Sequence, residues 1–253
     1  MTTEDIIIAL FCEVDDRLGD EPRHPQARLW PSELVTIGRL FVLKGVQFRA
    51  FSRWLKRDDA ALFVRLPHRT RLLRALQVHQ AWTDRLLADP TFFTVVDSYG
   101  IELIHPIREG RSRAQIGRKG KSNHRWIVGI KLCWLINDKG EVVDWAWSTA
   151  NAHDQWFLPM IERYEGRTIT LSDTGFECAD GVPSNLKMCP RGPWNERMLI
   201  ETALSMVTMV CRLKHIFHRV EAYAEMHLAY ISALFNMVLA LNRTLAPDAE
   251  PED

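Results

Sequence analysis

Three acidic residues of this chain stand where carboxylates can do chemistry. Asp97 ends the apolar run that begins at Thr91, and Asp173 ends the run that begins at Arg167. Glu201 follows 28 positions after Asp173, in a long amphipathic segment. Two carboxylates that meet at the ends of buried strands repel each other unless a cation lies between them. Oxygen ligands are typical of Mg²⁺, and a third carboxylate completes a two-ion site for phosphoryl transfer.

Glu201 is preferred as the third carboxylate because of the helix face on which it falls. Arg197 precedes it by four residues, and Thr208 and Arg212 continue the same face. The competing carboxylate, Glu196, falls off this face. A surface Arg–Glu helix pair is the structural alternative, and a turn or cap role is the alternative for each aspartate. Only the combination of all three favours catalysis.

The charges of the chain are segregated although they sum to zero, with 32 basic and 32 acidic residues. A first basic cluster, nine residues between Lys44 and Arg74, is opposed by only two aspartates. A second, seven residues between His105 and Arg125, is opposed by one glutamate. Because local potential attracts phosphates, this segregation favours a polyanion-binding protein. Solvated helix faces are the alternative for either cluster alone.

The apolar spacing predicts helices throughout residues 1–90. Pro31 begins one of them and Gly45 ends it. Residues 48–62 and 69–87 are predicted to form two basic amphipathic helices. These elements are either a helix-turn-helix-like DNA reader or a simple helical bundle, and the sequence does not decide between them.

The pattern then changes to that of a mixed α/β sheet. Strands are predicted at 91–97 and 167–173, with a hairpin at 126–147 between them. Helices are predicted at 153–164, 195–214 and 220–241. This order favours an α/β domain over residues 91–246, followed by an acidic tail at 247–253.

Cysteine usage and the first residues favour a cytoplasmic protein. The cysteines are odd in number and form no CxxC pair; they are Cys12, Cys133, Cys178, Cys189 and Cys211. Reduced thiols suit this pattern better than a disulfide framework. Acidic residues stand where a secretory signal carries basic ones, and no uninterrupted apolar run is long enough to span a bilayer.

Four stretches of the sequence form an ordered set within roughly residues 91–215. They are Val95-Val96-Asp97-Ser98, Asn151-x-His153-Asp154, Leu171-Ser172-Asp173-x-Gly175-Phe176 and Trp194-x2-Arg197-x3-Glu201-Thr202. In this order they resemble the DDE transposases of bacterial insertion sequences, in the cut-and-paste group with a Tyr-x2-Arg-x3-Glu-x6-Lys signature. Trp194 stands where that family has Tyr, and Thr208 stands where it has Lys. Arg212 can take over the phosphate contact of the missing lysine.

The resemblance implies an RNase H-like α/β domain, a mixed sheet flanked by helices, preceded by a helical N-terminal DNA-binding region. It implies that Asp97, Asp173 and Glu201 hold two Mg²⁺ ions, which Mn²⁺ can replace, for cleavage at transposon ends and strand transfer. The implied partners are inverted-repeat DNA at the transposon ends, target DNA and a second copy of the chain in a homodimer. The implied location is the bacterial cytoplasm, in association with the nucleoid. The predicted DNA-binding residues are Arg108, Arg111, Arg113, Arg118, Lys119, Lys121, Arg125, Lys187, Arg191, Trp194, Arg197 and Arg212.

Two other functions remain open at this stage. An RNase H-like nuclease would cleave without joining strands, and a catalytically idle transposase-derived protein would only bind DNA. Asp154, at the start of a predicted helix, is interpreted as an N-terminal capping residue, or one favoured there by the helix dipole, in preference to a metal ligand. Cys211, His215 and His218 have helical spacing that a zinc site can use, but no second cysteine pair accompanies them.

Overall fold

The computed structural model describes residues 2–122, 125–189, 196–210, 213, 216, 218 and 220–245, with the backbone alone at 196–199, 201, 207, 244 and 245. The chain divides into two compact units, residues 1–86 together with 222–253 and residues 87–221. The helices are α1 (Thr3–Leu18), α2 (Pro31–Lys44), α3 (Phe48–Asp58), α4 (Arg69–Val78), α5 (Leu158–Glu162), α6 (Glu196–Val210) and α7 (Glu221–Leu245). The strands are β1 (Phe93–Ile104), β2 (Arg118–Ser122), β3 (Arg125–Asn137), β4 (Val142–Thr149), β5 (Ile169–Ser172) and β6 (Leu186–Met188).

The N-terminal helices follow the predicted amphipathic pattern. Helix α2 begins at Pro31 and ends before Gly45, whose φ of 58° is left-handed, as predicted for this helix stop. In α3, Phe51 is buried, whereas Arg49 and Arg53 are exposed. The first basic cluster therefore points largely to solvent, which both a DNA reader and a plain bundle permit.

Helix α7 belongs to the same unit as the N-terminal helices. Its Tyr230 hydroxyl donates to the Leu76 carbonyl at 3.4 Å, and its His227 ring stacks edge-on against Phe41 with centroids 5.3 Å apart. The sequence pattern had assigned residues 91–246 to a single catalytic domain. The structure groups α7 with residues 1–86 instead, because the apolar side chains of α7 are buried among those helices.

Residues Glu221–Arg243 of α7 are long and apolar enough to cross a bilayer. However, 72% of the most apolar window is buried inside the protein. A buried apolar helix of this kind is ordinary in the core of a soluble domain, so its length and composition are weak evidence for a membrane segment.

The second unit is a mixed sheet flanked by helices, and the predicted α/β class is confirmed. Strand β3 pairs antiparallel with β1 along one edge. Its other edge is shared, with β2 pairing to residues 125–129 and β4 to residues 130–136. Strand β5 pairs parallel with the first part of β1, and β6 continues in parallel beyond β5. A core of buried residues from β1, β3, β4 and α5 covers one face of this sheet.

Two details of the predicted sheet differ from the structure. The first strand does not end at Asp97 but continues to Ile104, because residues 98–104 pair with β3 after the pairing with β5 has stopped. The basic segment after it, for which no strand was predicted, also contains one, since residues 118–122 form β2. The hairpin of β3 and β4, with its turn at Asn137–Gly140, is as predicted.

Candidate active site

The parallel pairing of β1 with β5 brings the two predicted aspartates to the same level of the sheet. The last registered pair is Val95 with Leu171, and each aspartate lies two residues beyond its member of that pair. One step earlier, the Thr94 and Thr170 hydroxyls hydrogen-bond at 3.0 Å, which fixes this register through buried side chains. Neighbouring strands lie about 4.8 Å apart; Asp97 stays within β1, and Asp173 directly follows the end of β5 at Ser172.

Asp173 is held by the turn that it begins. It is the N-cap of a 3-10 turn over Thr174–Phe176, and its Oδ1 accepts the backbone N–H of Gly175 at 2.9 Å. Phe176, at the end of this turn, is 1% exposed and packs in the sheet core. Anchoring by Phe176 and capping by Asp173 fix the carboxylate at the end of β5, where it stays half-buried.

Asp97 is fixed by the strand on which it lies. It pairs in register with Trp134 of β3, whose side chain is fully buried. The Asp97 Oδ1 accepts the backbone N–H of Ser98 at 2.7 Å. The carboxylate is half-buried, at a level where β5 has already ended at Ser172. A rigid strand therefore presents this oxygen donor just past the end of its parallel neighbour.

Asp154 joins this region, a position that the capping interpretation did not foresee. Its Oδ1 accepts from the Ser98 hydroxyl at 2.5 Å and from Lys131 Nζ at 3.0 Å. The short 3-10 turn over Asp154–Phe157 has His153 as its N-cap and no side-chain capping bond, so Asp154 does not cap it; Asp154 does lie in the first turn, as the dipole interpretation predicted. The His153-Asp154 pair was the available signal, but the partner Ser98 lies 56 positions away along the chain.

The local field of these acids is visible at a buried thiol. Burial raises the pKa of Cys133 well above its ordinary value, and the nearby carboxylates of Asp154 and Asp97 raise it further. Cys133 pairs in register with Ser98, directly beside Asp97. Lys131, which pairs with Asp154, partly offsets the effect of these carboxylates on the Cys133 pKa.

Glu201 lies in α6, the helix that packs against β1. Its neighbours Ile200 and Leu204 are buried, so this stretch of α6 covers the core. The Glu201 side chain is outside the described residues. Among the side chains that are described, no group of three or more His, Cys, Asp or Glu residues is arranged to hold a metal ion. The three-carboxylate site therefore stays a prediction.

The basic residues of the second cluster are exposed, from the end of β1 to the start of β3. Lys119 and Lys121 project from β2, and Arg125 opens β3, where it pairs with Glu102 at 3.2 Å. Further along, a cleft of about 440 Å³ is lined by Arg108 and Arg111. The remaining exposed basic residues of this cluster are Arg113 and Arg118.

The same cleft receives a histidine from beyond α6. His218 lines it together with His105, and burial lowers the pKa of His218 to about 4. At neutral pH this histidine is therefore uncharged, and the positive charge of the cleft comes from its arginines. Cys211 and His215, its partners in the zinc alternative, lie outside the described residues.

The other predicted DNA-binding residues are only partly placed. Lys187 is exposed on β6, where it pairs in register with Leu171 of β5. It therefore lies on the strand next to the one that leads to Asp173. Arg197 is described in its backbone alone, as part of α6. Arg191, Trp194 and Arg212 lie outside the described residues.

Comparison with known families agrees with this geometry. Residues 87–177 match the family model described as the transposase DDE domain. The matched stretch is about a third of the chain and runs from just before β1 to just after the Asp173 turn. It therefore includes Asp97, Asp154 and Asp173 but not Glu201. No curated protein matches the chain.

Proposed function

Residues 87–177 belong to the transposase DDE domain family, and we propose on this premise that the protein is a DNA transposase that cleaves transposon ends and transfers them to target DNA. The observation that carries the proposal is the alignment of Asp97 with Asp173 at the end of β5. An RNase H-like arrangement of this kind gathers acidic groups from a central strand, its parallel neighbour and a covering helix. Here the covering helix is α6, which contains Glu201.

The residues present fit a divalent cation. Asp97 and Asp173 supply hard oxygen donors, the ligands that Mg²⁺ and Mn²⁺ prefer. Both side chains are half-buried. We assign two Mg²⁺ ions to Asp97, Asp173 and Glu201, with Mn²⁺ able to replace them. The chemistry available from such a pair is activation of a water or 3′-hydroxyl and stabilisation of the leaving oxygen.

The chain itself contributes position and charge. Phosphoryl transfer needs reacting groups held in line more than it needs a covalent nucleophile. Asp97 is immobilised because β1 pairs with β3 at this position, and Asp173 is immobilised by the 3-10 turn that it begins. Both donors therefore keep their places while DNA enters, and little reorganisation is required at the moment of reaction.

We assign the DNA-binding surface of this unit to the second basic cluster. Arg108 and Arg111 in the cleft, with Lys119 and Lys121 on β2, bind the phosphate backbone near the cut. Lys187 binds the DNA strand on the β6 side of the sheet. Arg191, Trp194, Arg197 and Arg212 are assigned to the transposon end on the strength of the sequence resemblance alone.

The helical unit carries basic residues of its own. Helices α3 and α4 carry most of the first basic cluster on their exposed faces, and we assign to them the binding of inverted-repeat DNA. Two transposon ends must be held together for strand transfer, so the active form is a homodimer. Its substrate is chromosomal DNA, and its location is therefore the cytoplasm at the bacterial nucleoid.

A strand-joining assay tests the proposal. The protein is mixed with duplexes that carry the inverted repeats flanking its reading frame, a target plasmid and Mg²⁺. The expected product is donor DNA covalently joined to the plasmid, and Asp97→Asn protein should form none. Cleavage without joining would instead support a nuclease. A variant with Asp97→Asn that acts in cells as the parent does would support a DNA-binding protein without catalysis.

A further inference from the structure

We infer that Asp154 is a positioning residue that sets the geometry of both candidate metal ligands, Asp97 and Asp173. The inference rests on the proposed function, since it concerns the same site. Asp154 lies on neither β1 nor β5 but in the 3-10 turn that follows β4. Its carboxylate nevertheless reaches the residue after Asp97 and the turn that begins with Asp173.

The first contact fixes β1. The Ser98 hydroxyl donates to Asp154 Oδ1 at 2.5 Å, and Ser98 is the residue that follows Asp97. A hydrogen bond to an ionised acceptor is shorter and stronger than one between neutral groups. Because β5 no longer pairs with β1 at this level, this bond replaces part of the lateral support that β5 gives to residues 93–95.

The second contact fixes Asp154 itself. Lys131 Nζ donates to Asp154 Oδ1 at 3.0 Å and to the Ala152 carbonyl at 2.8 Å. The side chains of Lys131 and Asp154 are only 15% and 22% exposed, so water screens this ion pair little. Lys131 therefore binds the 152–154 backbone and side chain to β3 at two points.

A third observation places the Asp154 carboxylate beside the Asp173 turn. A Cβ placed on Gly175 would lie 2.9 Å from Asp154 Oδ2 and 3.0 Å from Asp173 Oδ1. Both carboxylates therefore lie against the same glycine, with Asp173 hydrogen-bonded to its N–H. Gly175 provides the space in which they approach each other. The Asp154 carboxylate is thus bonded to β1 and β3 and lies beside the Asp173 turn, three segments that are distant along the chain.

These contacts give Asp154 the role that partners outside the ligand set play in metal sites. Such groups orient the ligands, and their loss typically costs about 10- to 100-fold in metal affinity or activity. Asp154→Asn keeps an oxygen that accepts from Ser98 and Lys131, whereas Asp154→Ala removes the acceptor altogether. The two variants therefore separate positioning from direct charge donation to the metal.

The test measures Mn²⁺ binding to the DNA-free protein by electron paramagnetic resonance, alongside its melting temperature. Variants are Asp154→Asn, Asp154→Ala and Ser98→Ala, with Asp97→Asn as the reference for loss of a candidate ligand. The matched control is Asp144→Ala, because Asp144 is also a half-buried carboxylate in an ion pair, with Arg163 at 2.8 Å. We expect Mn²⁺ affinity to fall by about 10-fold or more in Asp154→Ala. It should fall less in Ser98→Ala, and by under about 3-fold in Asp154→Asn and in the control.

Three outcomes would overturn the positioning role. Equal losses in Asp154→Asn and Asp154→Ala would make Asp154 a ligand in its own right. A lower melting temperature in Asp154→Ala with unchanged Mn²⁺ affinity would make Asp154 a structural residue only. If Asp154→Ala does not fold, the same two measurements are made on Ser98→Ala, which is a much smaller change. Failure of the proposed function would give a different result from failure of the positioning role alone. Wild-type and Asp97→Asn protein would then bind Mn²⁺ equally, and the positioning role would be overturned as well.

Discussion

Asp97 and Asp173 lie at the same level of two adjacent parallel strands, each two residues past the registered pair of Val95 and Leu171. The pairing that aligns them stops just before them, so their carboxylates flank the point where β5 ends and the sheet opens. Such an opening beside a rigid strand is where a sheet most readily holds ligands and reacting groups.

Neutralising either aspartate should abolish catalysis without unfolding the protein. Asp97→Asn and Asp173→Asn keep size and hydrogen-bonding capacity but remove the charge that a divalent cation needs. We expect strand joining to fall by at least roughly 1,000-fold, the scale on which charge stabilisation affects phosphoryl transfer. Melting temperature and DNA affinity should stay close to those of wild type. Asp138→Asn, in the exposed turn between β3 and β4, is the matched control and should retain full activity.

A methyl group at Gly175 should impair catalysis more than stability. The added carbon would press on Asp154 Oδ2 and Asp173 Oδ1 at 2.9 and 3.0 Å, so both carboxylates must shift. We expect Gly175→Ala to lower the cleavage rate by about 10-fold or more, because small displacements of reacting groups are costly. Thr174→Ala, at the exposed neighbouring position, should change it little. Equal activities of the two variants would mean that this turn does not control the site.

Removing arginines from the cleft should change the salt dependence of DNA binding. Arg108→Ala and Arg111→Ala each delete one cation from the surface proposed to follow the phosphate backbone. The slope of log affinity against log salt should fall by about 1 for each phosphate that the variant no longer neutralises. Fluorescence anisotropy at several salt concentrations measures this slope. Lys139→Ala, which removes a charge from the exposed β3–β4 turn, should leave the slope unchanged.

Acid should destabilise the protein through His218. Burial lowers the pKa of His218 to about 4 from an ordinary 6.5, so the unfolded chain takes up a proton more readily than the folded one. Stability from this group is therefore complete above about pH 6.5 and declines as the pH falls toward 4. Between pH 7.5 and 5 the expected loss is about 2 kcal/mol. Urea unfolding should show a smaller loss in His218→Gln than in wild type or in His153→Gln, where the histidine is exposed.

A side chain at Gly38 should destabilise the helical unit. A Cβ there would overlap the Tyr230 ring of α7, and overpacking of this kind typically costs about 1–3 kcal/mol. Gly38→Ala should therefore lower the free energy of unfolding by that amount. Combining it with Tyr230→Leu should cost less than the sum of the two single changes. Additive effects would contradict the close packing of α7 on α2.

Local chemistry made part of the site predictable from sequence. Asp97 and Asp173 could be singled out because each follows a short apolar run, and strand, turn and helix signals act over a few neighbouring residues. The extension of β1 to Ile104 could not be predicted in the same way. Residues 98–104 mix polar and apolar types, and they are strand because β3 lies beside them.

Long-range contacts account for the features that the sequence pattern did not predict. Asp154 was interpreted through its own helix start, whereas its partners Ser98 and Lys131 lie 56 and 23 positions away. Helix α7 was assigned to the nearer domain along the chain, although its Tyr230 donates to Leu76, 154 positions earlier. In both cases contacts between residues distant in sequence determine the position of the residue or helix, and local propensity carries no information about such contacts.

Iron-directed cleavage of the polypeptide tests the central claim most directly. Fe²⁺ replaces Mg²⁺ in the DNA-free protein, and ascorbate with peroxide then cuts the backbone near the bound ion. If Asp97, Asp173 and Glu201 share one site, mass spectrometry should find cuts close to residues 97, 173 and 201. All three should be suppressed by excess Mg²⁺ and absent in Asp97→Asn protein. Cuts near 97 and 173 without any near 201, or cuts that Asp97→Asn leaves intact, would contradict the shared three-carboxylate site.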